Sequence, residues 1–281
     1  MNLYDRLIKL QEIEHAFSEW EAYRHQVTEF IIKDTSPEHT LAICGAGRCN
    51  DLDLERLTKH FKQVILVDKD VPSMEAARYR YNLEKDSNLK MQVADFVGIG
   101  DDAYRDYVDT LIEAVRKKGI QTDLEDLVKL ALKQLQSLEG QIPTTPVELG
   151  IASCDVIVAL GVHSQLLNML EWIWTIVLET IRQEEVSVRD KIKMMNRLAI
   201  EKFNDTLFRH AKKQLVMGFE VGRAGQEGSI QGAIQGLEDM SHYEASGEVQ
   251  GVDTLEVQWP FDEKQNKMYY MQIKKFSLGR D

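Results

Sequence analysis

Along the N-terminal stretch, Leu7, Leu10, Ile13, Phe17, Trp20, Tyr23, Val27 and Ile31 recur at intervals of three and four. That spacing puts them on one face of an amphipathic helix. The pattern then shortens. "TLAIC", 40–44, is a continuous apolar run that stops at Gly45. "QVILVD", 63–68, and "LKMQVAD", 89–95, are two more, each ending in an acid. Short apolar runs bounded by turn residues predict buried strands. Between them, residues 54–60 and the stretch from Asp70 to about Leu83 have helical character. Asp70 predicts an N-cap, and Pro72 fits the first turn, where a missing N–H costs no hydrogen bond.

Strand, helix, strand, helix, strand predicts a parallel sheet with crossover helices. Crossovers are right-handed, so the loops after the strands gather on one edge, where ligands bind. Residues 97–150 break this rhythm with two helical stretches, about 102–117 and 123–138. The second opens with Thr122-Asp-Leu-Glu125, a capping box. Pro143 and Pro146 then forbid regular helix. This is more than one crossover needs, so an insertion over the ligand edge is expected. "CDVIVALG", 154–161, predicts a fourth strand, followed by a long apolar helix and another starting at a second capping box, Ser187-Val-Arg-Asp190. "KQLVMGFEVG", 213–222, predicts a fifth strand. Residues 228–241 predict a helix with Gly228, Gly232 and Gly236 on one face for close packing. Finally "VDTLEVQWPF" and "KMYYMQIKKF" are separated only by "DEKQN", a link that can form only an antiparallel hairpin. The expected fold is α/β: a Rossmann-like doubly wound sheet of five parallel strands plus a C-terminal hairpin. Residues 1–36 form an N-terminal helical segment, and 37–281 form the main domain with the helical insertion at about 97–150.

Composition narrows the function. The formal net charge of −12 is the wrong sign for a polyanion partner, and the basic clusters Arg116-Lys117-Lys118 and Lys274-Lys275 are short and acid-flanked. No nucleic acid partner is expected. The start of the chain carries charges every few residues, unlike a signal peptide. Glu171 and Glu179 interrupt the most apolar helix, which predicts burial in protein rather than in a membrane. Cys44, Cys49 and Cys154 form no CxxC pair, so reduced thiols in a cytoplasmic protein are expected, with no metal site.

The candidate chemistry lies in the loops after the first three strands. "AICGAGRCND" supplies Gly45, Ala46 and Gly47; "ILVDKD" supplies Asp68; "QVADF" supplies Asp95 and Phe96. With the order of elements over roughly 38–276, these loops resemble the class I S-adenosylmethionine-dependent methyltransferases. That family's first loop reads approximately E/D-x-G-x-G. Here the acid is replaced by Ile43-Cys44, and Cys49 and Asn50 stand where a further glycine is usual. The resemblance implies S-adenosyl-L-methionine as cofactor, Asp68 on its ribose hydroxyls, Asp95 on its adenine amino group, and Gly45, Ala46, Gly47, Phe96 and Leu160 around it.

A physical argument points the same way. A dinucleotide's pyrophosphate needs free N–H donors and a helix N-terminus without nearby negative charge. Asp51 and Asp53 would oppose it. A sulfonium cation and an amino group tolerate those acids, while Gly45 and Gly47 still let the backbone pass close to a ligand. Asp53 can equally be a helix cap, and Asp68 and Asp95 can be ordinary polar strand ends.

After the fourth strand the chain reads Ala159-Leu160-Gly161-Val162-His163-Ser164-Gln165. The Asn/Asp-Pro-Pro-Tyr-like run of family members that methylate base amino groups or glutamine amides is absent. This points to a small-molecule acceptor. His163 is the candidate base or orienting group; the alternative is a histidine bonded at the start of the next helix. Glu220 and Arg223 are further candidates for acceptor contacts. Two other functions stay open: an S-adenosylmethionine-binding regulatory protein without catalysis, and a Rossmann NAD-dependent dehydrogenase. Nothing in the sequence specifies the oligomeric state.

Overall fold

A computed structural model describes residues 3–10, 12–225 and 230–279. The strands are β1 (Thr40–Cys44), β2 (Gln63–Asp68), β3 (Leu89–Val93), β4 (Cys154–Leu160), β5 (Ala211–Arg223), β6 (Val249–Asp262) and β7 (Lys267–Leu278). They form one seven-stranded sheet in the order β3-β2-β1-β4-β5-β7-β6. β1 pairs in parallel with β2 and β4, β2 with β3, and β4 with β5. β7 is antiparallel to both β5 and β6. This is the expected Rossmann-like sheet of five parallel strands with a terminal hairpin.

The alternation within each strand builds two cores. Leu41, Ile43, Val64, Leu66, Val156 and Val158 face one apolar cluster. Their neighbours Ala42, Cys44, Ile65, Val67, Ile157 and Ala159 face the other. Successive side chains of a strand point to opposite faces, and here both faces are covered, so the strands read as unbroken apolar runs. The first face is covered by α3 (Glu21–Ile32), α4 (Leu54–His60) and α5 (Val71–Arg80). The second is covered by α6 (Asp101–Lys118), α7 (Leu124–Glu139), α8 (Asn168–Ile181), α9 (Ser187–His210) and α10 (Gln231–Ser246).

The expected single N-terminal helix is three helices: α1 (Leu3–Leu10), α2 (Ala16–Glu19) and α3. Tyr4 and Leu7 of α1 join the cluster on the second face, whereas Trp20, Tyr23, Val27 and Ile31 join the first. One straight helix cannot serve both faces of a sheet, so the chain breaks between them.

Both capping boxes are corrected. Asp123, not Thr122, caps α7 by accepting from the Asp126 N–H at 3.0 Å. The Thr122 hydroxyl donates to the Gly119 carbonyl. At α9 the Glu185 carboxylate accepts from the N–H groups of Ser187 and Val188. Asp70 caps α5 as expected. The third strand stops at Val93, before Asp95, and the helix expected over 228–241 is α10 at Gln231–Ser246. Gly228 lies outside the described residues. The three cysteines are buried and unpaired. No helix among the described residues is long and apolar enough to cross a membrane.

Candidate functional site

The chain runs outward from β1 to β2 and β3, then returns to the other side of β1 as β4. This reversal leaves a crevice at the carboxyl ends of β1 and β4, the usual ligand position in a doubly wound sheet. A cavity of about 360 Å³ lies there, within the range of small-ligand sites. Gly45 follows β1, Asp68 ends β2, Asp95 and Phe96 follow β3, and Leu160 ends β4; all five line the cavity. Ala46 and Gly47, expected with them, do not line it. Ala46 is packed into the core, and Gly47 is engaged through its backbone.

That engagement defines the loop. Asp68 Oδ2 accepts from the Gly47 N–H at 2.9 Å, and Oδ1 accepts from the Asp70 N–H at 2.9 Å. One carboxylate thus ties the turn after β1 to the end of β2. Burial pushes the Asp68 carboxyl above the usual carboxylate range, and these backbone donors oppose the shift. Gly45 has φ +76°, and a Cβ there would collide with Val162 Cγ2. Glycine is therefore needed both for the turn and for the approach of the loop after β4. Asp95 Oδ1 accepts from the N–H groups of Val97 and Gly98 at 2.9 and 3.0 Å, which folds the chain back over the cavity as it leaves β3.

The other two acids of the first loop have separate roles. Asp53 is the N-cap of α4, its carboxylate accepting from the Arg56 N–H at 3.1 Å. Burial pushes the Asp51 carboxyl up to about 6, with the nearby Arg24 acting the other way. Arg24 donates to the carbonyls of Phe17 and Asn50, anchoring this loop to the N-terminal helices.

His163 is displaced from its expected role. It is fully buried and does not line the cavity. Asn204 Nδ2 donates to Asp239, which turns Asn204 Oδ1 toward His163 Nε2 at 2.8 Å. Nε2 therefore carries the proton of the neutral ring. The ring packs against Phe203 and Phe219, and burial pulls its pKa down to about 4. A Cβ at Gly236 would press on this ring, and one at Gly232 on the His163 carbonyl. The small residues of α10 thus fit around a packed histidine. Glu220 is buried, and its Oε1 accepts from the Ser164 hydroxyl at 2.7 Å. Arg223, the last residue of β5, is half-buried.

Other parts of the cavity wall have no counterpart in the sequence reading. Tyr4 and Ile8 of α1 line it, with Tyr104 of α6 opposite. Tyr4 and Tyr104 stack with centroids 6.1 Å apart, and the Tyr4 hydroxyl lies 3.4 Å from Asp101. Arg105 bridges Asp5 and Asp102. The apolar period located Leu7 but gave no signal for these contacts, which depend on where the helix breaks.

Solved structures of similar architecture carry methyltransferase names. One is magnesium protoporphyrin IX methyltransferase from Synechocystis with bound S-adenosylhomocysteine: 12% identity over 100% of this chain and 89% of that one, TM-score 0.45. Another is an S-adenosylmethionine-dependent methyltransferase from Aquifex aeolicus: 9% identity over 99% and 100%, TM-score 0.46. A third is a candidate RNA methyltransferase from Pyrococcus horikoshii: 11% identity over 94% and 84%, TM-score 0.42. No protein-family description and no curated protein matches the chain. At TM-scores below 0.5 these likenesses carry no argument, so the functional reading rests on the cavity.

Proposed function

We propose that this protein binds S-adenosylmethionine in the cavity at the ends of β1 to β4 and transfers its methyl group to a small-molecule acceptor. The observation that carries the reading is the use of Asp68 and Asp53. The Gly47 N–H, which a phosphate-binding loop would turn toward its ligand, is held by Asp68. The N-terminus of α4, where a pyrophosphate would rest, is held by Asp53. Both anion-binding features of a dinucleotide site are thus filled by the chain's own carboxylates. This disfavours the dehydrogenase reading and favours a ligand that presents hydroxyls, an amine and a positive charge.

In this reading Asp68 accepts from the ribose hydroxyls and Asp95 from the adenine amino group. Carboxylate oxygens have several lone-pair sites, so a backbone N–H on Asp68 leaves room for a ligand hydroxyl. Gly45 lets the backbone pass close to the donor, and Phe96 and Leu160 supply apolar walls. The sulfonium supplies an activated methyl group; the protein's part is to align it with the acceptor and exclude water. The N-terminal segment 1–36 and the insertion at 97–150 cap the cavity through Tyr4, Ile8 and Tyr104. The net charge of −12 supports a small acceptor over a nucleic acid. The buried His163 leaves alignment, not a histidine base, as its contribution from β4.

Calorimetric titration with S-adenosylhomocysteine, paired with thermal melting, tests the reading. A ligand that binds only the folded state stabilises it by about 2.7 kcal/mol at a hundredfold excess over Kd. No heat and no rise in Tm at millimolar ligand would refute it. NADH binding in place of S-adenosylhomocysteine would establish the dehydrogenase.

A further inference from the structure

A second cavity, of about 330 Å³, lies between the first turns of α8, α9 and α10. Its size suits a small ligand. It shares Asn168 with the cavity at the strand ends and is otherwise lined by different residues. Leu167 and Ile192, both buried, give it an apolar wall. Its charges come in both signs. Asp190 and Lys193 are exposed at its mouth, one turn apart on α9. Residues three apart are neighbours on a helix surface, yet these two do not pair. The ion pairs of α9 are made by Arg189, Lys191, Arg197 and Lys202; among the described residues Asp190 and Lys193 take part in none. Arg189 and Glu171, also on the wall, hold each other at 3.3 Å.

Deeper in the wall stands Asn196, 9% exposed. Gln235 Nε2 donates to the Lys193 carbonyl at 3.3 Å, which turns Gln235 Oε1 to accept from Asn196 Nδ2 at 3.1 Å. The orientation of the Asn196 amide is thereby set. Its Oδ1 takes no hydrogen bond from the described residues and keeps accessible surface, so it is an open acceptor on a buried side chain. Beside it α10 begins, with no side chain capping its N-terminus. The first N–H groups of a helix have no partner inside it and carry the positive end of its dipole. Gly232 brings this turn close: a Cβ there would stand 3.1 Å from Asn196 Nδ2. An open acceptor and open donors thus face one small cavity, with one unpaired charge of each sign at its mouth.

We infer that this cavity binds a free α-amino acid with an apolar side chain. The carboxylate lies against the first turn of α10, on the side of Lys193. The ammonium group donates to Asn196 Oδ1 and faces Asp190. The side chain lies on Leu167 and Ile192. A ligand with one charge would answer only half of this arrangement: a lone anion leaves Asp190 and Asn196 Oδ1 unmet, and a lone cation leaves Lys193 and the α10 N–H groups unmet. The site is distinct from the proposed donor cavity, and its occupancy does not depend on the methyl-transfer reading.

L-Leucine and L-methionine serve as probes, titrated by calorimetry with and without saturating S-adenosylhomocysteine. At least one should bind saturably in both conditions. N-acetyl and carboxamide derivatives of the one that binds each lack one charge and should bind ~10-fold or more weakly. Lys193→Gln should weaken the amino acid about fivefold, as for a partly exposed ion pair, and leave the carboxamide unchanged. Asp190→Asn should weaken it similarly and leave the N-acetyl form unchanged. Both positions are exposed, so the variants should keep the wild-type Tm. No saturable binding of either amino acid, or equal affinities in wild type and both variants, overturns the inference. Binding that S-adenosylhomocysteine abolishes also overturns it, because that places the amino acid in the donor cavity. The titrations without S-adenosylhomocysteine stand even where that compound fails to bind, so failure of the donor reading is read separately.

Discussion

Replacing Asp68 by alanine separates the two roles of its carboxylate. In the ligand-free protein it accepts from the Gly47 and Asp70 N–H groups at 2.9 Å each. Hydrogen bonds to a charged partner contribute about 1.5–3 kcal/mol each, and donors left unsatisfied cost about 1–3 kcal/mol when buried. Both N–H groups lie in loops at a strand end, where water can replace part of the loss. Asp68→Ala should therefore stay folded, with stability lowered by about 1–3 kcal/mol. Donor affinity should fall further, because the ribose contact is lost and the loop is no longer held. Loss of one charged hydrogen bond at about 1.5–3 kcal/mol corresponds to a Kd raised roughly 10- to 150-fold. Asp68→Asn, which keeps one acceptor oxygen, should fall between. Urea unfolding gives the first quantity and calorimetric titration with S-adenosylhomocysteine the second. A folded Asp68→Ala protein with donor affinity within twofold of wild type would show that the acid serves only the loop.

His163 gives a pH prediction. Its folded pKa, about 4, lies below the ordinary value because burial disfavours the charged ring. Stability from the neutral ring is complete above ~6.5 and is lost as the pH falls from there towards the folded value, by roughly 3 kcal/mol in all. Urea midpoints from pH 7 to 4 should show this slope, and His163→Gln should flatten it; an unchanged slope would remove His163 as its cause. Asp53→Ala should lower stability by about 1 kcal/mol through loss of the α4 cap, while donor affinity stays constant; a large affinity loss would mean that Asp53 meets the ligand. Amide exchange in α1 and residues 97–150 should slow when S-adenosylhomocysteine binds, as for a cap that closes on its ligand. Exchange identical with and without ligand would mark them as a rigid appendage.

The sheet was legible because its strands are buried on both faces. Runs such as "AIC" and "VILV" suit strands covered on both faces, and the acids or glycines at their ends mark the edge where the cavity lies. Gly45, Asp68, Asp95, Phe96 and Leu160 therefore fell into one cavity wall. The sequence spacing could not show what each carboxylate touches. Asp51, Asp53 and Asp68 look alike in one dimension, yet one lies half-buried near Arg24, one caps a helix and one anchors a loop. His163 misled for a related reason. It follows β4 directly, beside residues that line the cavity, but its direction is set by Asn204, forty-one positions later on α9. The N-terminal break also escaped, because a three-and-four repeat reads the same whether the helix is continuous or divided between two faces.

The position of β7 bears on how the chain is made. It is the last of the described strands in sequence but lies inside the sheet, between β5 and β6. Its Ile273, Lys275 and Phe276 are fully buried. During synthesis β5 presents an open edge, and β6 has no partner, until β7 emerges; at ordinary translation rates of about 5–20 residues per second this is a wait of several seconds. An unpaired edge in that interval is a template for pairing with another chain. Truncation within β7 removes an interior strand and splits the sheet, rather than trimming its margin. Expression yield should therefore fall abruptly for deletions that reach Phe276, while a tag attached beyond residue 279 leaves the sheet complete.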